Sequence, residues 1–276
     1  MRARPSFDEL LARTDAPAGS TWGLWGAEDR RGCLNLLTPE AALRGSRAVR
    51  RGAVFPLDLP LDLPDPPLFE RTGFRHDVTW LPREGGHDET LSGFNPQRSS
   101  QWDGFRHIRS RVHGFYNGLA DESHGVHHWD TAGIVTRGVL ADLGRWRAEA
   151  GRPLSCGEPD CIEPDELTAC LADQGVAVEP GDILLIRTGW LSWYRSLDAD
   201  GRAEAAGTAR ACGLRPGRAF ARARSVHGES LGRSRQEPGD VASPRYVFAT
   251  GYAPVNVEDP PPDRAAAAQT PEGDRH

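Results

Sequence analysis

The chain has 276 residues, 38% of them hydrophobic, and a net charge of −6. That length suits one large domain or two small ones with a real core. The charge excludes a strongly basic nucleic-acid binder. All 33 basic residues are Arg, so Schiff-base and P-loop lysine chemistries are excluded as well. No stretch reaches the roughly 20 apolar residues of a membrane span, and the N-terminus lacks a signal-peptide apolar core. The expectation is a soluble, cytoplasmic protein with a small-molecule substrate and neither nucleic acid nor membrane as partner. The five cysteines are odd in number and form no CxxC pair, which argues against a disulfide framework or zinc knuckle.

In chain order, Ser6-Phe7-Asp8-Glu9 has capping-box form and predicts a helix to about Arg13. The Gly/Trp-rich stretch Thr21–Gly26 is too irregular for a regular element. Thr38-Pro39-Glu40 reads as N-cap, N1 proline and first-turn acid of a helix to about Arg50. Val54–Leu63 alternates apolar and polar residues but carries prolines, which fits an edge strand or an extended arm. Gly133–Leu143 reads as a strand. A helix follows over Pro164–Gln174, closed by Gly175, with Leu167, Cys170 and Leu171 on its buried face. Val176–Val178, a turn at Glu179–Asp182 and the apolar run Ile183–Arg187 read as a β-turn-β unit, the last strand buried on both faces. These elements predict a mixed α/β or α+β single domain over residues 1–276. Gly213–Ser243 is Arg-, Gly- and Ala-rich, fitting either a poorly ordered segment or a disrupted reading frame. A strand at Arg245–Thr250 and a loose tail over residues 258–276 complete the reading.

The chemistry concentrates in Gln97-Arg98-Ser99-Ser100-Gln101-Trp102-Asp103-Gly104-Phe105-Arg106-His107. On an extended strand alternate residues share a face, so Gln101, Asp103 and His107 would converge on one pocket. An acid and an imidazole so placed can bind a metal, move a proton or hydrogen-bond each other. The run Asp121–Asp130 holds His124, His127 and His128. The first two fit a surface loop, whereas His128 beside Trp129 is placed to line the same pocket as His107. His76-Asp77 and His87-Asp88-Glu89 read as solvated loop sequence. Gly228-Glu229-Ser230-Leu231-Gly232 matches the GxSxG elbow, but no buried strand precedes it, and it reads as a chance match.

The Gln97–His107 run resembles the signature His-x-Gly-Thr-His-x-Asp-x-Pro-x-His of the cyclase family of metal hydrolases, which includes bacterial kynurenine formamidase. Gln97 and Gln101 stand at the two leading His positions, Asp103 at the Asp, Phe105 at the Pro and His107 at the final His. Trp25–Gly32, Phe94–Gln97, Phe115–Gly118, Gly133–Asp142 and Gly181–Gly189 also resemble a branch of that family, in the family's order. Together they span roughly residues 20–195, with a weaker match at Tyr246–Val257. The resemblance implies a swivelling β/β/α fold with a mixed sheet, usually oligomeric. It implies hydrolysis of an amide, ester or lactone of a small aromatic carboxylic metabolite, as in the kynurenine step of tryptophan catabolism. It assigns Gln97, Gln101 and Asp103 to a divalent metal, Zn or Mn, and His107 to proton transfer. Trp102, Phe105 and His128 would line the substrate.

Two Gln in place of two His weaken a zinc site, because an amide oxygen is a hard, uncharged donor. They shift preference toward a harder ion such as Mn²⁺ or Mg²⁺. The family also draws a later His and Glu into its metal site, for which His227, Glu229 and Glu237 are the nearby residues. The alternative is a metal-free binding protein or inactive relative that keeps the fold.

Overall fold

A computed structural model describes residues 5–107, 109, 110, 112–157, 160–208, 213 and 214. The readings of Gly213–Ser243 beyond Leu214, the GxSxG match, His227, Glu229, Glu237, the Arg245–Thr250 strand and the tail lie outside these residues.

Helix α1 (Phe7–Leu11) opens on the expected capping box, with Ser6 and Glu9 each bonding the other's main-chain N–H. Helix α2 (Pro39–Arg47) has Thr38 as N-cap and Pro39 in its first turn. It ends before the expected Arg50. Residues 53–60 adopt no regular element, so Val54–Leu63 is an arm rather than a strand. The arm is nonetheless anchored. The Leu59 N–H donates to Ser100 Oγ at 2.8 Å, the Ser99 hydroxyl donates to the Pro60 carbonyl at 3.1 Å, and Arg98 donates to the Asp62 carbonyl at 3.1 Å.

Strands β1 (Arg75–Leu81) and β2 (Gly86–Ser92) pair as an antiparallel hairpin from Arg75↔Ser92 to Leu81↔Gly86. This corrects the loop reading of His76-Asp77 and His87-Asp88-Glu89. The sequence lacks an apolar alternation there because both faces of the hairpin are largely solvated. Its turn uses Gly85 at φ 66°, a conformation that favours glycine.

Helix α3 (His127–Asp130) precedes strand β3 (Gly138–Asp142), helix α4 (Leu143–Glu149) and strand β4 (Cys161–Ile162). Helix α5 (Pro164–Asp173), strand β5 (Ile183–Arg187), helices α6 (Trp190–Ser196) and α7 (Ala199–Thr208), and strand β6 (Gly213–Leu214) follow. Two expectations need correction here. β3 begins only at Gly138, because residues 134–137 run as irregular chain, and Leu143 already belongs to α4. Val176–Val178 forms no strand. The Glu179–Asp182 turn is present, with Gly181 at φ 88° after Pro180. That is the left-handed third position of a type II turn.

β3 and β5 pair in parallel with Val139 opposite Leu184 and Ala141 opposite Ile186. Between them α4, β4 and α5 form the crossover that a parallel pair requires. Their apolar faces enclose a core of Ala141, Leu143, Ile162, Leu167, Cys170, Leu184 and Ile186. Cys170 is core packing, as its spacing predicts. β4 pairs in parallel with β6. The architecture is the mixed α/β arrangement read from the sequence. No helix among the described residues is long and apolar enough to cross a membrane.

Candidate functional site

The site lies beside a second, aromatic core, in which Leu34 and Trp129 are buried and Leu37, Phe105, Ile134 and Ile183 pack against them. Phe105 is its centre. Its ring stacks on Tyr116 at 4.3 Å between centroids and meets Trp129 edge-on at 5.3 Å. It also presses so closely on Gly32 that a Cβ there would lie 2.6 Å from the ring. Gly32 sits at φ 54°, so both backbone and space call for glycine.

Three sequence segments meet around this ring. Asp29 accepts hydrogen bonds from the Tyr116 hydroxyl (2.9 Å), the Gly32 N–H (2.8 Å) and the Asn35 amide (2.8 Å). Asn117, at φ 57°, donates to the Gly26 and Asp29 carbonyls and accepts from the Gly23 N–H. The Trp129 indole N–H donates to the Arg30 carbonyl at 3.1 Å. Thus Gly23–Gly32, Phe115–Gly118 and α3 are tied into one wall.

The Gln97–His107 run runs along that wall without being a strand. Pro96–Arg98 is a single 3₁₀ turn capped by Asn95, residues 99–104 are irregular, and Phe105–His107 turn again. Two side chains pull the run out of extension. Arg98 is buried against the arm and over the Phe74 ring, and Phe105 is drawn into the aromatic core. Convergence by strand alternation is therefore not the geometry. Even so, Gln101 Oε1, Asp103 Oδ1 and His107 Nε2 are each buried without a hydrogen-bond partner. Gln97 is half-buried in the 3₁₀ turn, where its carbonyl accepts from Arg71. Trp102 is exposed, and Phe105 spends its ring on the core.

His124 is the residue that sequence reasoning placed wrongly. Far from a surface loop, it is 3% exposed, with Phe105, Phe115 and Tyr116 rings around it at 6.0, 6.0 and 6.3 Å. Both of its ring nitrogens lack a partner. Burial holds its imidazole below the usual range, so it is neutral near pH 7. The segment passes directly beside the run, with the His124 carbonyl 3.8 Å from where a Cβ on Gly104 would stand. His127 is exposed, as expected. His128 is half-buried, its ring 4.0 Å from that of His127. Desolvation and the charges of His127 and Arg30 lower its affinity for a proton. The signal that could have found His124 was the density of His beside Trp129, read against the match at Phe115–Gly118.

Buried acceptors without donors are costly, of order 1–3 kcal/mol each and more for a carboxylate. Each calls for a water or a ligand to complete its bonding. The family's zinc does not fit the described residues. No group of three His, Cys, Asp or Glu side chains gathers among them to hold a metal ion, and Gln101 offers only an amide oxygen.

A family model described as "Putative cyclase" matches residues 55–224. A crystal structure described as that of a novel cyclase is similar in fold, with a TM-score of 0.57 and 31% identity, covering 67% of each chain. A search of curated proteins finds no match. The chain belongs to the cyclase family.

Proposed function

We propose that the chain is a hydrolase that opens an amide, ester or lactone bond in a small aromatic carboxylic metabolite, with His107 as the proton-transfer group. The supporting observation is the trio Gln101 Oε1, Asp103 Oδ1 and His107 Nε2, buried and unpartnered beside an aromatic core. In this reading His107 Nε2 takes a proton from water as the water oxygen bonds to the substrate carbonyl carbon. The same nitrogen returns the proton to the departing nitrogen or oxygen as that bond breaks, leaving a carboxylic acid and an amine or alcohol. The Asp103 carboxylate, buried four residues before His107, accepts a second hydrogen bond from the attacking water and holds it in place. Gln101 orients the substrate through its amide. Trp102, exposed on the same run, supplies the apolar face for an aryl ring.

The test is turnover of N-formylkynurenine and of a panel of aryl esters and lactones by the purified chain. His107→Ala should lower kcat/KM by about 10²–10⁴-fold, the usual worth of a general acid–base group. Undiminished turnover in that variant overturns the role of His107.

One observation favours a second reading, a binding protein that keeps the fold: two amides stand where the family signature has imidazoles. Saturable binding of aryl ligands with no turnover across the panel, after supplementation with Mn²⁺ or Zn²⁺, would establish it over the enzyme.

A further inference from the structure

The β1–β2 hairpin carries Val78, Trp80 and Leu91 on its more solvated face. Register and alternation place them with His76, His87 and Glu89 on one side, and Asp77, Thr79, Asp88 and Thr90 on the other. Every residue of the first face is exposed, Val78 by 57%, Trp80 by 52% and Leu91 by 44%. The half-buried residues of the hairpin, Asp77, Leu81 and Gly86, all lie on the second face. The exposed face is nonetheless ordered within the chain. Trp80 packs on His87 at 5.0 Å between ring centroids, and His76 Nε2 lies 2.7 Å from Glu89.

A hairpin of two strands is marginally stable in water, and gains stability from a further strand or from covering its apolar face. Among the described residues this one has neither, since β1 and β2 make a sheet of two strands. Its base is fixed, where the Phe74 and Phe94 rings meet edge-on at 5.4 Å and Arg98 lies over Phe74. Both outer edges are left open to another chain.

The two edges differ. β2 has Asp88 and Glu89 at its centre, so pairing with β2 of another copy sets acid against acid. β1 has the strand formers Val78, Thr79 and Trp80 there and no proline. The lysines that commonly guard an open edge are absent, because the chain contains none. Laid antiparallel on its own copy about a two-fold axis at Val78, β1 sets Val78 opposite Val78 and His76 opposite Trp80. Asp77 then meets Thr79, Arg75 meets Leu81, and no like charges face each other. Both apolar faces fall on the same side of the joined sheet.

We propose that β1 is the docking edge for a second copy of this chain, joining two hairpins into a four-stranded antiparallel sheet with Val78 on the two-fold axis. The family resemblance leaves surface, symmetry and register open; the hairpin supplies all three, independently of the hydrolase reading. The two-fold closes the assembly at a dimer, whereas β1 on β2 of the next copy would run on as a filament.

The test is sedimentation velocity of the full chain over a wide range of concentration, where the native chain should reach a dimer and nothing larger. Val78→Lys puts like charges on the axis, yet sets a cation opposite Glu89 within each hairpin, which favours the hairpin itself. It should raise the dimer dissociation constant by about a hundredfold or more, as like charges do at an interface. Val78→Glu should do the same, and an equimolar mixture of the two variants should recover a dimer holding one chain of each. Thr90→Lys, on β2 and away from the axis, should leave the dissociation constant unchanged. Cooperative melting of each variant shows that it is folded. A native chain that stays monomeric or grows beyond a dimer overturns the proposal. So does a dimer that survives Val78→Lys, one that Thr90→Lys disrupts equally, or a mixture that stays monomeric.

Discussion

The Tyr116 hydroxyl donates to Asp29 Oδ2 at 2.9 Å, joining two segments 87 residues apart directly beneath the candidate site. Burial, reinforced by the Asp29 charge, keeps the phenol protonated at physiological pH, so the hydroxyl stays a donor. Tyr116 also carries the ring on which Phe105 stacks.

Tyr116→Phe separates these two roles. The stack survives, and Asp29 loses one of its donors but retains Gly32 and Asn35. Stability should fall by about 1.5–2 kcal/mol, the lower part of the range for a bond to a charged acceptor. A shift in the denaturant midpoint without a change in slope checks this. A change in slope would mean that the aromatic wall itself has loosened.

The contacts that build this wall explain which features were legible in the sequence. α1, α2, α5, the turn at Pro180-Gly181 and β5 were readable because their signals are local: a capping box, a proline at N1, a glycine after the last turn, an uninterrupted apolar run. The β1–β2 hairpin was hidden because its residues bury neither face and show no apolar alternation. The candidate site was half legible. Gln101, Asp103 and His107 stood out by residue type, and their polar atoms are indeed buried and unpartnered. The strand invoked to join them does not exist: Arg98 bonds to the arm and Phe105 packs into the aromatic core. His124 was misjudged because its burial depends on Phe105 and Phe115, which lie 19 and 9 residues earlier in the chain.

That burial carries a pH dependence. The folded state holds the His124 imidazole below 6.5, first through desolvation and then through the charges of Arg30 and His128. The Tyr116 main chain, which approaches without completing a hydrogen bond, and Asp121 oppose this. Between the folded value and 6.5 the unfolded chain therefore binds more protons than the folded one. Stability is full above about pH 6.5 and falls as pH drops toward the folded value, then levels off. Denaturant unfolding at pH 7.5 and 5.5 should show this loss, and His124→Gln should reduce it. Part of the slope remains in the variant, since His128 is shifted in the same direction. An unchanged slope in the variant would rule out His124 as its source.

Gly45 reverses an ordinary rule. In an exposed helix Gly→Ala stabilises by about 0.8–1 kcal/mol. Here a Cβ would fall 2.5 Å from the Thr136 carbonyl carbon and 2.8 Å from the Arg137 nitrogen, both main-chain atoms leading into β3. α2 must then move off residues 136–137, or that chain must shift. Gly45→Ala is expected to destabilise by about 1–3 kcal/mol, the range for overpacking. Helical content by circular dichroism should be unchanged at low temperature while the melting temperature falls. A rise in melting temperature would show that α2 is free to slide.

The anchor beneath that contact is Asp182, fully buried at the entry to β5. Its carboxylate accepts from Arg137 Nε (3.2 Å), from Arg44 Nη2 (3.2 Å) and from the Glu179 N–H (2.7 Å). It therefore ties α2, the entry to β3 and the entry to β5 to one group. Asp182→Asn preserves shape but leaves two guanidinium groups facing a neutral amide. Removing one member of a fully buried pair costs about 3–5 kcal/mol. Both arginines keep roughly a quarter of their side-chain surface in water, and Glu179 lies 3.4 Å from Arg44. Solvent and that second carboxylate reduce the penalty, so about 2–3 kcal/mol is expected. Because β3 and β5 begin beside Arg137 and Asp182, the loss should appear as earlier amide exchange in both strands together rather than in β5 alone. Protection lost only in β5 would mean that Arg137 holds the entry to β3 without its carboxylate.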